Sequence, residues 1–158
     1  MKPIIDVCCG GRMFYTDKEN SSVLFCDNRE FETIFKKNGY KDEIFNIKPD
    51  KIIDFRKMPF SDESFYLVIF DPPHILYGSD KSFLCQKYGR LSKDYKNDLT
   101  LAFNECMRIL RVNGTMIFKW SEAQIKLNEI LSCFNKKPLL CQKTSKTSHF
   151  CVFFKYKQ

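Results

Sequence analysis

The sequence predicts a single α/β domain with a mostly parallel sheet, helices on both faces and an antiparallel pair of strands at the C-terminal end. Short apolar stretches alternate with segments of helical spacing along the chain, which is typical of parallel sheets with crossover helices. The chain has 158 residues, so we expect one domain that spans residues 1–158. Its 44% hydrophobic and 28% charged residues exclude a disordered or low-complexity chain.

Four apolar segments, each ending in or near an aspartate, predict the parallel strands. In chain order they are Pro3 to Cys8, Val23 to Cys26, Lys51 to Asp54 and Tyr66 to Phe70. Between the second and the third, the segment from Glu30 to Lys37 carries Phe31, Ile34 and Phe35 at helical spacing. Because Asn38-Gly39 follows and such a pair commonly ends a helix, we predict a short crossover helix over Glu30 to Lys37.

The segment from Pro72 to Tyr95 has no clean periodicity and predicts a long loop. Loops of this length in compact domains are usually lids or binding segments. Basic and aromatic side chains interleave here, a mixture that binds phosphates and stacks on bases, and that a solvated charged surface also produces. These side chains are Tyr77, Lys81, Phe83, Lys87, Tyr88, Arg90, Lys93 and Tyr95.

The C-terminal half predicts two helices and three strands. The predicted elements are, in order, a helix from Ser92 to Arg111, a strand from Thr115 to Trp120, a helix from Ser121 to Phe134, and an antiparallel pair formed by Leu139 to Lys143 and His149 to Tyr156. Ser92 is the expected N-cap of the first helix, and Asn113-Gly114 is expected to end it.

The net charge and the cysteine content of the chain indicate which binding partners and which cellular compartment to expect. The net charge of +7 is compatible with a nucleic-acid partner and equally with a solvated lysine-rich surface. The longest apolar run, Phe65 to Phe70, is too short for a membrane span, and the first residues show no secretory pattern. We therefore expect a cytoplasmic protein with no membrane partner, eight free thiols and no metal site, since the cysteine spacing matches none.

Ligands of open parallel sheets bind beyond the carboxyl ends of the strands, so the residues at those ends are the candidate site. Asp6-Val-Cys-Cys-Gly-Gly11 closes the first strand, and its glycines allow a ligand to approach the bare backbone. The full dinucleotide and triphosphate patterns are missing from this loop. Asp27 follows the second strand, where a carboxylate can accept both ribose hydroxyl hydrogens of a nucleoside.

The ends of the third and fourth strands carry the remaining candidate residues. Asp54-Phe55 can offer an acceptor to an adenine amino group and an aromatic cover for its ring. Asp71-Pro72-Pro73-His74 follows the fourth strand. Four acidic residues at successive strand ends point to one shared site for a nucleoside ligand.

Two of these segments carry a family resemblance. Asp6-Val-Cys-Cys-Gly-Gly11 resembles the first motif of class I S-adenosyl-L-methionine-dependent methyltransferases, and Asp71-Pro-Pro-His74 resembles the Asp/Asn-Pro-Pro-aromatic motif of the amino-methyltransferases among them. The segments 54–60, 64–70 and 110–118 are similar to their connecting segments. The likeness spans most of the chain and extends to small methyltransferases encoded by phages and prophages. This chain differs in having His74 at the aromatic position, a short segment after Gly11 and no target-recognition domain.

The resemblance implies a Rossmann-like fold and specific roles for the strand-end residues. It implies that S-adenosylmethionine is bound by Asp6, Cys8, Gly10, Asp27, Asp54, Phe55 and Asp71. Methyl transfer from a sulfonium is an in-line displacement, so positioning dominates. The Asp71 carboxylate and the Pro72 carbonyl would each accept one amine hydrogen and turn the nitrogen lone pair toward the methyl group. His74 would stack on a flat substrate group or relay a proton.

The expected function is methylation of an exocyclic amine of nucleic acid, adenine N6 before cytosine N4. A glutamine side chain of a protein is an alternative substrate, because a carboxamide fits the same two acceptors. A non-catalytic module on the same fold, binding nucleic acid or a host partner, is a third hypothesis. Sequence specificity would come from the loop at about 72–95 or from a protein partner.

Overall fold

A computed structural model of the protein describes residues 2–35 and 42–157. Its elements, in chain order, are β1 (Ile4–Asp6), β2 (Val23–Asp27), β3 (Phe31–Phe35), β4 (Glu43–Ile47), β5 (Lys51–Ile52), β6 (Phe65–Phe70), α1 (Phe83–Tyr88), α2 (Tyr95–Ile109), β7 (Leu110–Ser121), α3 (Leu127–Leu131), β8 (Leu140–Lys143) and β9 (Ser148–Phe154). Within these ranges no helix has both the length and the apolar character needed to cross a membrane.

One seven-stranded sheet dominates the structure, with the order β5-β2-β1-β6-β7-β9-β8. The strands β5, β2, β1, β6 and β7 are parallel to one another, whereas β9 is antiparallel to both β7 and β8. This confirms the prediction of an α/β fold with a mostly parallel sheet and an antiparallel C-terminal pair. The strand order reverses beside β1, and ligands of open α/β sheets bind at such a reversal.

The predicted crossover helix over Glu30 to Lys37 is wrong. Phe31–Phe35 forms β3, which pairs with β4 in a separate antiparallel sheet of two strands. Residues 31 and 35 share a face in a helix and also in a strand, so the apolar spacing fits both. Aromatic and β-branched residues favour a strand here, and Phe35 packs against Phe45 and Phe83. Lys36, Lys37 and Asn38-Gly39 lie outside the described residues.

The loop predicted from Pro72 to Tyr95 contains a short helix. Ser82 is the N-cap of α1, and its hydroxyl oxygen accepts a hydrogen bond from the amide of Cys85. Gly89 ends the helix with a φ of +75°, a conformation that favours glycine. The rest of the segment up to Asp94 is irregular, as expected.

Both helices predicted in the C-terminal half are shorter than expected. The first, α2, begins at Tyr95 rather than Ser92, and it ends at Ile109 because Leu110 already pairs with Phe65 of β6. Asn113-Gly114 consequently lies inside β7. The helix predicted from Ser121 to Phe134 is only five residues long in the structure, where it is α3. The residues before it form a turn, in which Trp120 Nε1 donates a hydrogen bond to the Ile125 carbonyl at 2.9 Å.

The main core lies between the sheet and α2. Leu99, Phe103 and Cys106 of this helix are fully buried, and the Phe103 ring stacks on Phe134 at a centroid distance of 4.2 Å. Each large apolar side chain buried in this way contributes about 1.5 to 3 kcal/mol. The helix packs on β6 and β7, so it fixes the two strands whose ends carry Asp71 and Lys119.

The expectation of eight free thiols is wrong for one pair. Cys141 and Cys151 are directly opposite each other on β8 and β9, with their Cα atoms 4.0 Å apart, and the structure joins them as a disulfide. The other cysteines, all of them in the described part of the chain, are free.

Candidate active site

A cavity of about 280 Å³ lies beyond the carboxyl ends of β1, β2, β6 and β7. Most of the residues predicted from strand ends line it together: Asp6, Cys8, Gly10, Asp27, Phe55, Asp71, Pro72 and His74. Sheet register explains the convergence, because Asp6 pairs with Phe25 of β2 and with Ile69 of β6. Asp27 and Asp71 each lie two residues beyond these partners.

Asp54 lies outside the lining of this cavity. Its carboxylate is about half exposed and bonds to Arg56 Nη2 at 2.7 Å, while Arg56 also reaches Asp98 at 3.1 Å. The neighbouring Phe55 does line the cavity. The structure therefore brings together three of the four predicted carboxylates, and Asp54 belongs to a surface ion-pair network.

Asp6 is a deeply buried carboxylate, with 2% of its surface exposed. It accepts hydrogen bonds from the Cys8 amide at 3.1 Å and from the Tyr15 hydroxyl at 3.0 Å. Burial raises the pKa of Asp6 to about 7, and the charges of Asp71 and Asp27 act in the same direction. Among the described residues no lysine or arginine pairs with Asp6, so the cavity holds a carboxyl group without a cation.

Cys8 contributes its backbone rather than a reactive thiol. Burial, reinforced by the charges of Asp27 and Asp6, raises the pKa of the Cys8 thiol well above its usual range. The thiol is therefore neutral at physiological pH and lines the cavity as a small apolar group.

Asp27 is buried and extensively hydrogen-bonded. One oxygen accepts from the Gly10 amide at 3.0 Å, and Gly10 has a φ of +48° that turns this amide toward it. The Arg29 amide and Nε both reach the other oxygen at 3.0 Å. Arg29 Nη1 also donates to the Gln86 carbonyl of α1 at 3.1 Å. A ligand hydroxyl at Asp27 would therefore share the carboxylate with Arg29, which links β2 to α1.

Asp71 forms an ion pair with a lysine that the sequence motifs did not include. Lys119 Nζ lies 3.2 Å from one carboxylate oxygen and 3.4 Å from the other. Burial raises the pKa of Asp71 to about 6, and the charge and hydrogen bond of Lys119 oppose this increase. Asp71 is therefore mostly ionised at neutral pH and retains its acceptor capacity.

His74 lies among aromatic rings at the same end of the cavity. Its ring centroid is 5.2 Å from Tyr88 and 6.5 Å from the buried Trp120. Burial lowers the pKa of His74 to about 4, and the Lys119 charge adds to this effect. A neutral imidazole at physiological pH is suited to stacking, whereas its weak basicity disfavours proton transfer.

Several lining residues were not assigned to the site from the sequence. Tyr15 and Phe14 come from the loop after Gly11, where no periodicity or motif marks them. Arg29 follows Asp27 by two residues, and Lys119 stands at the end of the strand next to β6. The positions of Arg29 and Lys119 at strand ends could have marked them as cavity residues, since residues at the ends of β1, β2, β6 and β7 all line the cavity.

The chain is an α/β protein with a cavity at the strand-order reversal, and this cavity is lined by three aspartates. No family model matches the chain, and no curated protein matches it. The crystal structure of the PH0226 protein from Pyrococcus horikoshii OT3 is similar, with a TM-score of 0.56, 14% sequence identity, and coverage of 96% of this chain and 81% of that one. At this level of identity the likeness concerns the fold alone.

Proposed function

We propose that the protein is a class I S-adenosylmethionine-dependent methyltransferase that modifies an exocyclic amine of nucleic acid, adenine N6 in preference to cytosine N4. The observation that carries this proposal is the convergence of two separate motifs on one cavity. The glycine loop after β1 and the Asp71-Pro72-Pro73-His74 segment after β6 are distant in the chain, yet both line it. Each segment resembles a methyltransferase motif by its sequence alone, without regard to its position in the fold.

The charge of the cavity suits this cofactor. S-adenosylmethionine supplies the methyl group from a sulfonium, and it carries an ammonium and a carboxylate in addition, so its net charge is positive. Asp27 and Asp71 have cationic partners in Arg29 and Lys119, whereas Asp6 has none among the described residues. A cationic ligand would therefore compensate a buried carboxyl group that has no cationic partner among the described residues.

The lining residues also offer suitable contacts for each part of a nucleoside ligand. Asp27 can accept ribose hydroxyl hydrogens in place of Arg29 donors, which supply three of its four hydrogen bonds among the described residues. It lies beside Gly10, whose lack of a side chain leaves backbone accessible. Phe55, packed on Phe70 at a centroid distance of 6.1 Å, offers an aromatic face for adenine. Asp6 and the glycine loop are left to hold the methionine end.

The substrate end of the cavity favours a flat ring over a carboxamide side chain. Asp71 and the Pro72 carbonyl are acceptors for the two amine hydrogens, and consecutive prolines remove backbone N–H groups that would compete. His74 and Tyr88 add an aromatic wall beside these acceptors. Base stacking on such walls contributes about 1 to 3 kcal/mol per base, which a glutamine side chain would not gain. A duplex substrate would have to flip its base outward.

Transfer of labelled methyl groups to DNA and to RNA tests the proposal. We expect incorporation by the wild-type protein, its loss in Asp71→Ala, and retention in Asp62→Ala, which removes an exposed carboxylate paired with Arg108. Equal incorporation by wild type and Asp71→Ala would end the catalytic assignment. Label found in a glutamine of a protein would instead favour the carboxamide substrate, and nucleic-acid binding without cofactor binding would favour a non-catalytic module.

A further inference from the structure

The Lys119 and Asp71 side chains are brought together by the register of the central sheet. Phe70 of β6 pairs with Phe118 of the parallel β7, so Asp71 and Lys119 follow on neighbouring strands at the same edge. Their side chains are only 20% and 13% exposed, respectively. A largely buried lysine is uncommon without a partner, and this ammonium group contacts both oxygens of the carboxylate.

Among the described residues, Lys119 is the cation in direct contact with Asp71. The other titratable and charged groups that line the same cavity are of both signs: Asp6, Cys8, Cys9 and Tyr15 on β1 and the loop after it, Asp27 and Arg29 after β2, His74 on the segment of Asp71 itself, and Lys87 and Tyr88 of α1. Burial raises the pKa of both Asp6 and Asp71; at Asp71 the charge and the hydrogen bond of Lys119 oppose this rise, whereas Asp6 has no lysine or arginine partner among the described residues.

We propose that Lys119 is a positioning residue of the same site, whose ammonium group keeps the Asp71 carboxylate ionised and oriented so that it can accept a hydrogen from the substrate amine. The catalytic part of this inference rests on the proposed function. A protonated Asp71 would present a hydroxyl donor to the amine and would be a weaker acceptor than the carboxylate. Lys119 thus acts through Asp71 and does not itself contact the reacting nitrogen.

The geometry leaves room for the substrate. A carboxylate has about four acceptor positions. The distances from Lys119 Nζ to the two Asp71 oxygens, 3.2 and 3.4 Å, are longer than those of strong charge-assisted hydrogen bonds, which are about 2.7 to 2.9 Å. Lys119 Nζ also lies 5.5 Å from the centre of the Phe14 ring, which restricts its movement. The lysine therefore holds one side of the carboxylate and leaves other lone pairs free.

The pH dependence of methyl transfer separates this role from simple packing. Lys119→Met keeps the apolar part of the side chain and removes the charge. We therefore expect the acid limb of the pH profile of kcat, which lies near pH 6 in the wild type, to move upward by about 1 to 3 pH units. This is the range typical of the loss of a cationic neighbour. At pH 7 the rate would fall about tenfold for a shift of two units, and it would recover by pH 9. Lys119→Arg should restore the wild-type profile, and Lys143→Met, which removes an exposed ion pair with Glu122, should leave it unchanged.

Carbon NMR of ¹³C-labelled aspartate provides a readout that needs no activity. The Asp71 carboxyl resonance is assigned by its loss in Asp71→Asn. We expect this resonance to titrate at higher pH in Lys119→Met than in the wild type. Lys119→Gln serves as a second variant if Lys119→Met is poorly folded. An unchanged Asp71 titration, or an equal loss of rate at pH 7 and pH 9, would overturn the inference. A shifted titration in a protein whose wild type transfers no methyl group would overturn the proposed function, while supporting Lys119 as the group that keeps Asp71 ionised.

Discussion

Replacing Asp6 by asparagine should stabilise the unliganded protein at alkaline pH while weakening cofactor binding. The pKa of Asp6 is about 7 in the folded protein, against an ordinary 3.8, so the folded state binds more protons than the unfolded state between these pH values. Stability therefore falls as the pH rises from 4 to 7. One pKa unit corresponds to about 1.4 kcal/mol, so the ionised Asp6 costs about 4 kcal/mol above pH 7.

Asparagine preserves the shape and removes this cost. Its amide oxygen can still accept from the Cys8 amide, which bonds to Asp6 at 3.1 Å. Urea denaturation at pH 5 and pH 8 measures the effect as a difference in the free energy of unfolding. We expect Asp6→Asn to exceed the wild type by about 2 kcal/mol at pH 5, where Asp6 is already ionised in the unfolded state, and by about 4 kcal/mol at pH 8.

The cofactor should reduce this difference in stability between the variant and the wild type. Because a cationic ligand compensates the Asp6 charge, saturating S-adenosylmethionine should stabilise the wild type at pH 8 more than it stabilises Asp6→Asn. A variant no more stable than wild type at pH 8 would refute the claim that Asp6 is a costly buried charge. An equal gain from the ligand in both proteins would refute its role in cofactor binding.

Three further substitutions test separate parts of the structure. Trp120→Ala should lower the free energy of unfolding by about 3 to 5 kcal/mol, because the ring is fully buried; a loss below about 1 kcal/mol in urea denaturation would contradict this packing role. Tyr88→Ala should raise the KM for nucleic acid about 5- to 150-fold through lost stacking while Tyr88→Phe stays near wild type, and equal effects of both would contradict stacking. Asp27→Ala should weaken cofactor binding in calorimetry by about tenfold or more, whereas an unchanged Kd would exclude contact with the ribose.

Sequence reasoning predicted which residues line a shared cavity better than it predicted the bounds of the elements. Strand ends could be read from apolar segments that stop at aspartates, and three of those aspartates meet because parallel strands share one edge of the sheet. Asp54 could not be separated from them by sequence, since Arg56, which pairs with Asp54, also pairs with Asp98 of α2, and the position of that helix is not evident from the sequence. A strand end followed by an arginine is compatible with a ligand site and with a surface ion pair.

The misassigned elements have physical reasons as well. The β3 segment satisfies helical and strand periodicity at once, and its packing of Phe35 against Phe83 joins parts of the chain that sequence reasoning treated separately. The helix before β7 ends early because tertiary pairing of Leu110 with Phe65 outweighs the local helical pattern. The pairing of Lys119 with Asp71 could not be predicted, because it depends on the register between β6 and β7, which only the assembled sheet defines.

A crystal structure grown with S-adenosylhomocysteine or the amine analogue sinefungin addresses the central claim most directly. We expect the ligand in the cavity after β1, β2 and β6, with ribose hydroxyls on Asp27, adenine against Phe55 and the amino-acid end near Asp6 and Gly10. A cavity without ligand in crystals grown at millimolar concentration, or a ligand bound elsewhere on the protein, would contradict the assignment of this site.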